Sequence, residues 1–506
     1  MQYNICASPS LIMHIDLNCC FAIIEQQANR LLRGRAVAVS AYGTPRGMVI
    51  AASYEAKRQG IKLGVNNREA KAIDPKVVIL PPDPAKYREA HRLFKEVLLR
   101  YTDDVHPKSI DEFVLNFKGA PAIRNSKTKP SPLPGCALQG DLASPVAFGC
   151  PSTATAPSEG EGSVLEHDLL AAASSIPNPQ SLVQSHDEVK EVMLRVGQNI
   201  KRDIKEALGE WVTVNIGIGP NRFLAKYAAG FGKPDGMTLI DYNNLRQMYD
   251  GMDLVDLPGI NRRYKTRLQL AGIRTPLQFL DAPLHLLQKI VFKSIVGYYW
   301  YQRLRGYEID DYETSRKSIG HQYALSKRTM DREVLARSLL KLCEKTGRRL
   351  RKNDLTAHGI HLYVGLERPE ENVEHIGFEQ MQYLSSWHRG VKLSYPLYAT
   401  QDIYLAAKHL LDIAEIPSNV RIIAVTVFAL EPSNPEQMSL FAQQIGDRRL
   451  EIGDSSFRSF DEVKRISDAV DEINNRYGEF VVTSASMMDM SGEILDRVAF
   501  GQIKDM

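Results

Sequence analysis

The sequence predicts a multidomain α+β protein, on three observations. Its 506 residues exceed what one hydrophobic core holds and point to roughly three or four domains. Short apolar strand-like runs alternate with stretches of helical periodicity. A long Pro-, Ser- and Gly-rich segment separates two such regions, and no internal repeat is evident. The 44% hydrophobic and 24% charged fractions are ordinary for a soluble globular chain. No apolar run approaches the ~18 residues of a membrane span. The start, with no Lys or Arg before its first apolar run, is unlike a signal peptide. A cytoplasmic protein with no membrane partner is expected. The six cysteines form no C-x-x-C pair, which argues against zinc and against a disulfide framework. A net charge of +3 implies no nucleic acid by itself, so the clustering of basic residues matters more.

The first expected strand is Leu11 to Ile15, delivering Asp16 at its end. Another apolar run is Val77 to Leu80. From Ala85 to Tyr101, Ala90, Phe94, Val97 and Leu98 recur at helical spacing. A β segment, Ile110 to Phe117, carries Asp111 and Glu112. Residues 120–184 hold nine of the 26 prolines and one aromatic residue, Phe148, so they are expected to be a disordered insertion. Ser185 to Glu188 reads as a capping box, and Val189, Val192, Val196, Ile200 and Ile204 mark one face of the helix that follows. Val212 to Ile218 alternates like a strand, and Asn221 to Gly230 is expected to be helical. Residues 250–305 suggest short helices with a turn at Pro258-Gly259. The acidic run Glu308 to Glu313 reads as a linker. Residues 316–432 combine strands (Gly359 to Leu366, Val420 to Leu430) with helices (Arg332 to Arg351, Asp402 to Leu411), an α+β domain. The last expected element is an amphipathic helix from Phe460 to Tyr477.

Asp16 and the Asp111-Glu112 pair suggest phosphoryl transfer. That chemistry needs charge placed around an in-line displacement, usually two divalent ions about 3.5–4 Å apart on shared carboxylates. Mg²⁺ suits oxygen ligands and takes its remaining ones from water and phosphate. An aspartate closing a strand is more often a turn residue or cap, and spacing alone does not decide between the readings.

Sequence blocks add to this. Ile12-Met-His-Ile-Asp-Leu-Asn-Cys-Cys-Phe-Ala-Ile-Ile-Glu25 resembles the first motif of the Y-family translesion DNA polymerases. Ser109-Ile-Asp-Glu-Phe113 is similar to the family's Ser-x-Asp-Glu, and Asn215 to Gly236 to the stretch closing its palm. The blocks occur in family order across residues 11–441, apart from the insertion, and the bacterial DNA polymerase IV type is the nearest likeness. The resemblance implies a right-hand polymerase. Its palm would be 1–27 and 84–240, with small fingers at 28–83 and a helical thumb at 241–307. A linker at 308–315, an α+β little finger at 316–432 and a C-terminal extension at 433–506 would follow. It implies a DNA-directed DNA polymerase active in DNA repair and damage tolerance, without proofreading, acting as a monomer on primer-template DNA and deoxynucleoside triphosphates. The alternative is a catalytically inactive, polymerase-shaped adaptor that binds DNA and the clamp.

The resemblance also assigns residues. Two Mg²⁺ ions per active site would sit on Asp16, Asp111, Glu112 and the Leu17 backbone carbonyl. Asn18 stands where the family usually has Asp, a departure expected to touch local hydrogen bonding rather than catalysis. Phe21 falls at the steric gate against ribonucleotides. Tyr54, Lys57 and Lys233 would contact triphosphate, Lys57 replacing an arginine common in the family. Met48 and Ile50 would roof the templating base. Leu257 to Asn261 with the basic helix after it resembles a helix-hairpin-helix, in which Gly259 and Asn261 expose backbone N–H groups to phosphate. In that motif Asn261 replaces a usual glycine, and Asn tolerates a left-handed backbone. Lys341, Lys345, Arg348 and Arg349 form a basic helix face expected on DNA, with steep salt dependence. Gln437, Met438, Leu440 and Phe441 belong to a peptide resembling the bacterial sliding-clamp motif.

Overall fold

A computed structural model describes residues 5–45, 47–118, 186–312, 315–367, 386–433, 460–478 and 480–490. The insertion at 120–184, Ser185 of the expected capping box and the clamp-like peptide lie outside the described residues. The chain divides into two compact units, essentially 1–312 and 313–497.

The first unit is built on a five-stranded sheet. Its strands are β1 (Ile12–Leu17), β5 (Val105–Pro107), β6 (Glu112–Asn116), β7 (Val214–Gly219) and β8 (Met237–Leu239), in the order β5-β6-β1-β7-β8. β1 runs antiparallel to both neighbours. Alternation along β1 divides its side chains between two faces. Met13, Ile15 and Leu17 enter the main core. With them are α1 (Cys20–Ala28), α4 (Pro84–Leu98) and α5 (His186–Leu208). On the other face Ile12 and Val114 meet Ala225 of α6 (Arg222–Ala228). The glycines of Asn215-Ile-Gly-Ile-Gly219 permit that contact: a Cβ at Gly217 would lie 2.0 Å from the Ala225 carbonyl oxygen.

β1 therefore continues past its expected end, and Asp16 is a strand residue rather than the residue after one. Asp111 immediately precedes β6 instead of lying inside it. α4 is capped by Asp83, whose carboxylate accepts from Lys86 N–H at 3.1 Å, and has Pro84 in its first turn, where proline is tolerated.

A smaller sheet, β3-β2-β4, comprises β2 (Val37–Ser40), β3 (Val49–Ala52) and β4 (Val78–Leu80). With α2 (Tyr54–Arg58) and α3 (Asn67–Ile73) it encloses its own cluster around Ala38, Val49, Ala56, Ile61 and Ala70. The unit ends in short helices: α7 (Leu245–Tyr249), α8 (Arg262–Leu270), α9 (Pro276–Asp281) and α10 (Val296–Leu304). These share a core of Tyr249, Leu268, Phe279, Phe292 and Trp300 with Phe223 and Tyr227 of α6.

The acidic run after α10 is more than a linker. Glu308 accepts from the Arg222 N–H at 3.0 Å and faces its guanidinium, Asp311 lies 2.5 Å from the same side chain, and Asp310 takes Arg303 at 2.7 Å. Arg222 was not legible as a partner because it lies 86 residues from Glu308, and Arg303 because it belongs to the helix before the run.

In the second unit the antiparallel sheet β11-β10-β12-β9 consists of β9 (Ser318–Thr329), β10 (Leu355–Leu366), β11 (Ser386–Leu397) and β12 (Val420–Pro432). α11 (Arg332–Lys352) and α12 (Thr400–Asp412) join it. The outer strands β9 and β11 were not read from the sequence. Many of their residues remain exposed, so their polar side chains mask the alternation. The expected C-terminal helix forms as α13 (Phe460–Tyr477).

Candidate active site

Strand register sets the centre of the site. Asp16 and Glu112 are paired residues across β1 and β6. The Leu17 N–H donates to the Asp111 carbonyl at 2.9 Å, which ties Asp111 to the same strand end. Burial raises the pKa of Asp16, against the opposing pull of Lys233, whose ammonium ion-pairs with it. Burial also raises that of Asp111, although the Ser109 hydroxyl donates to its carboxylate. At Glu112 burial pushes upward too, but His14, Lys226 and Lys233 outweigh it and hold the carboxyl below its usual range. Lys226 of α6 donates to both Glu112 oxygens at 2.8 and 3.1 Å, and buried His14 stands 3.9 Å away. The sequence reading missed Lys226 and His14, although both lie inside the motif blocks it used.

These donors are carboxylate oxygens, the hard set that Mg²⁺ accepts. Among the described residues, no three His, Cys, Asp or Glu side chains gather tightly enough to enclose a cation. Asp16 is turned onto Lys233, and Glu112 onto Lys226. The chemistry of the donor set fits a divalent ion, and moving these carboxylates off their lysines is what would close it.

Other expected residues converge beside Asp16. Cys19 caps the start of α1 with φ 51, a left-handed conformation. Lys57 Nζ donates to its sulfur at 3.1 Å and lies 5.2 Å from the centre of the Tyr54 ring. Tyr54 also hydrogen-bonds Cys19 through its side chain. Burial, with Cys19 and Asp16 nearby, pushes the Tyr54 phenol well above its ordinary value. Asn18 is hydrogen-bonded through its amide to Thr213 Oγ1 and Asn215 Oδ1, each at 3.2 Å. An aspartate there could not donate, so the departure is matched to Asn215 Oδ1, which only accepts.

Phe21, in the first turn of α1, is fully buried and stacks on Tyr87 with ring centroids 4.3 Å apart. It presents no open face. Met48 is half exposed beside β3, and Ile50, two residues on, is partly buried. In the helical region Gly259 has φ 91, which favours glycine. Asn261 does not supply a left-handed residue as expected. It is extended and caps α8, its side chain accepting from Tyr264 N–H at 3.1 Å. Arg262, Arg263 and Arg267 of α8 are exposed.

The basic face of α11 is not open. Lys341 is 4% exposed. Its ammonium and that of Lys345 lie 5.0 and 5.6 Å from the centre of the Phe480 ring. Arg348 donates to Asn475 at 3.0 Å, Arg351 takes Asp471 in a bidentate pair at 2.6 and 2.9 Å, and Arg349 is partly buried. Part of the helix face that carries Lys341, Lys345, Arg348 and Arg349, expected on DNA, is covered by residues of the C-terminal extension. Charge spacing marked the face as basic but could not say what covers it.

Comparison with known proteins decides the family. The sequence model of the impB/mucB/samB family matches residues 15–230, and that of the family's C-terminal domain matches 316–440. The chain belongs to this family. The DNA polymerase IV of Moorella thermoacetica is 27% identical over 494 residues, covering 96% of this chain and 98% of its own. That of Staphylococcus saprophyticus is 25% identical over 433 residues, covering 85% and 98%. A Y-family DNA polymerase chimera matches in structure with a TM-score of 0.60 at 21% identity, over 83% of this chain and 98% of that one, a likeness of fold. The protein is a Y-family DNA-directed DNA polymerase, of the DNA polymerase IV type, with an α+β architecture. Among the described residues no helix is long and apolar enough to cross a membrane.

Proposed function

We propose that this polymerase adds deoxynucleotides to a primer 3′ end by two-metal phosphoryl transfer at Asp16, Asp111 and Glu112. The observation that carries the reading is the pairing of Asp16 with Glu112 across β1 and β6, with Asp111 hydrogen-bonded to Leu17. Two Mg²⁺ ions held by these carboxylates and the Leu17 carbonyl would activate the attacking hydroxyl and stabilise charge on the transferred phosphoryl group. Glu112, held below its usual pKa, stays ionised through the physiological range. Tyr54, Lys57 and Lys233 would receive the triphosphate. Their convergence beside Asp16 supports this, since a triphosphate needs donors and positive charge next to the metal carboxylates. Phe21 would exclude the 2′-hydroxyl, its ring braced by Tyr87. Met48 and Ile50 would roof the templating base.

In this reading residues 1–27 and 84–240 are palm, 28–83 fingers, 241–307 thumb and 316–432 little finger, with 433–506 as an extension. Primer-template phosphates would meet the turn at Gly259 and the N-terminus of α8 capped by Asn261, where backbone N–H groups and exposed arginines offer sequence-independent contacts. Gln437, Met438, Leu440 and Phe441 would bind a sliding clamp, on the strength of their sequence alone. The role is damage tolerance without proofreading, carried out by a monomer. Primer extension with Mg²⁺ on undamaged and lesion-bearing templates tests it. Extension past a lesion with no excision of a mismatched end is expected. Extension that stops at every lesion, or removes mismatches, would contradict it.

A further inference from the structure

The loop that carries Lys233 is gripped from two sides. On one side Asn215 of β7 accepts from the Gly236 N–H at 3.0 Å. The same side chain donates to the carbonyls of Phe231 and Ala229 at 2.7 and 3.2 Å. On the other side, Asp235 meets α5. Its carboxylate lies 2.8 Å from Lys205 Nζ and 3.2 Å from Lys201 Nζ, and Lys201 also donates to the Asp235 carbonyl. Lys201 and Lys205 are four residues apart, so they share a face of α5 and reach one carboxylate. Asp235 has φ 58, a conformation that Asp and Asn tolerate better than most residues. Between the two grips lies Lys233, ion-paired with Asp16.

We propose that Asp235, Lys201 and Lys205 are positioning residues for the incoming nucleotide. They fix the loop so that Lys233 is presented at one place, and they set triphosphate affinity without touching the triphosphate. The inference rests on the reading of Lys233 as a phosphate contact. Lys233 sits two residues from Asp235 on a short loop, so freedom at Asp235 becomes freedom at the Lys233 backbone. A flexible lysine stem that starts from a mobile backbone loses more entropy on binding. The Asp235–Lys205 pair is partly exposed, and the effect is correspondingly moderate.

The alternative cause is the electric field of the two lysines, and the sign separates it. Asp235→Asn removes a negative charge near the site while keeping a residue suited to the turn. A field effect would then lower the KM for deoxynucleotide, whereas loss of positioning raises it. The test is single-nucleotide insertion kinetics on the full chain with Asp235→Asn, Lys205→Met, Lys205→Arg and Lys233→Ala, alongside DNA affinity without nucleotide. Asp235→Asn and Lys205→Met are each expected to raise KM about fivefold, with kcat within about twofold and DNA affinity unchanged. Lys205→Arg is expected to restore the parent KM. A parent or lowered KM in Asp235→Asn, where Lys233→Ala raises it, overturns the positioning role. An equal loss of DNA affinity overturns it too, because that marks general loosening. If Lys233→Ala leaves KM unchanged, the phosphate reading of Lys233 fails, and the inference falls with it.

Discussion

Phe21 and Tyr87 lie face to face, with centroids 4.3 Å apart and ring planes 12° from parallel. Tyr87 is held in turn by its hydroxyl, which donates to Glu25 at 2.9 Å, and Glu25 is paired with Lys86 at 2.7 Å. A ring fixed from behind in this way suits a rigid floor beneath a sugar. Full burial equally suits a core residue.

The sugar test separates these. Phe21→Ala should raise relative ribonucleotide use at least about tenfold, which corresponds to ~1.4 kcal/mol of lost discrimination. Removing so buried a ring also costs ~3–5 kcal/mol of stability, so Phe21→Leu is the companion variant that keeps the fold. The measurement is the kcat/KM ratio of matched ribo- and deoxynucleotides. An unmoved ratio in both variants, with only stability lost, makes Phe21 a core residue.

The extension is tied to α11 by the Arg351–Asp471 pair, whose side chains are 5% and 14% exposed. Breaking a nearly buried pair by removing one partner leaves the other charge unpaired. Asp471→Ala should destabilise the C-terminal unit by ~3 kcal/mol. Limited proteolysis and thermal unfolding measure this. An unchanged midpoint would mean that the extension is only loosely attached.

The Asn18 amide donates to Thr213 Oγ1, a hydroxyl that can also donate, and to Asn215 Oδ1, which can only accept. Asn18→Asp would set a carboxylate against the Asn215 oxygen in a buried place and should cost ~1–3 kcal/mol in denaturant unfolding. Catalysis should survive, because Asn18 is outside the proposed ligand set. A neutral effect on stability would mean that the Asn18 amide contacts contribute nothing net to folding.

Leu440→Ala with Phe441→Ala should abolish clamp-stimulated synthesis and spare clamp-free synthesis, since apolar anchors carry such peptide contacts. Clamp affinity measured directly checks this. Equal affinity in parent and variant would remove the clamp assignment.

Much of the fold was legible where one periodicity dominates. α4 and α5 appeared as apolar stripes because one face of each is buried and the other is not. β7 appeared as an alternating run although it is buried throughout, because glycines and Asn215 occupy the face that α6 covers. In the small sheet the run at β4 stood out as apolar, but β2 and β3 were missed because each is only four residues long, too short for a period to emerge. At the site, the motif blocks identified Asp16, Asp111 and Glu112 as a group. The ion pairs with Lys226 and Lys233 needed the fold, because each joins residues brought together by strand pairing rather than by sequence. The basic stripe on α11 shows the same limit from the other side. Its spacing is visible in the chain, but the residues packed over it, Asp471 and Phe480, come from far along the sequence.

The most direct test of the proposed chemistry is primer extension by Asp111→Ala, measured together with its affinity for primer-template DNA. Asp111 lies next to Glu112 and is bound through its backbone to Leu17, so its carboxylate can be removed without breaking that strand contact. The account predicts extension below about a few per cent of the parent rate, with DNA affinity nearly unchanged, because a metal ligand is lost and no phosphate contact is. Extension well above that level by a folded Asp111→Ala protein would contradict the two-metal site built on Asp16, Asp111 and Glu112.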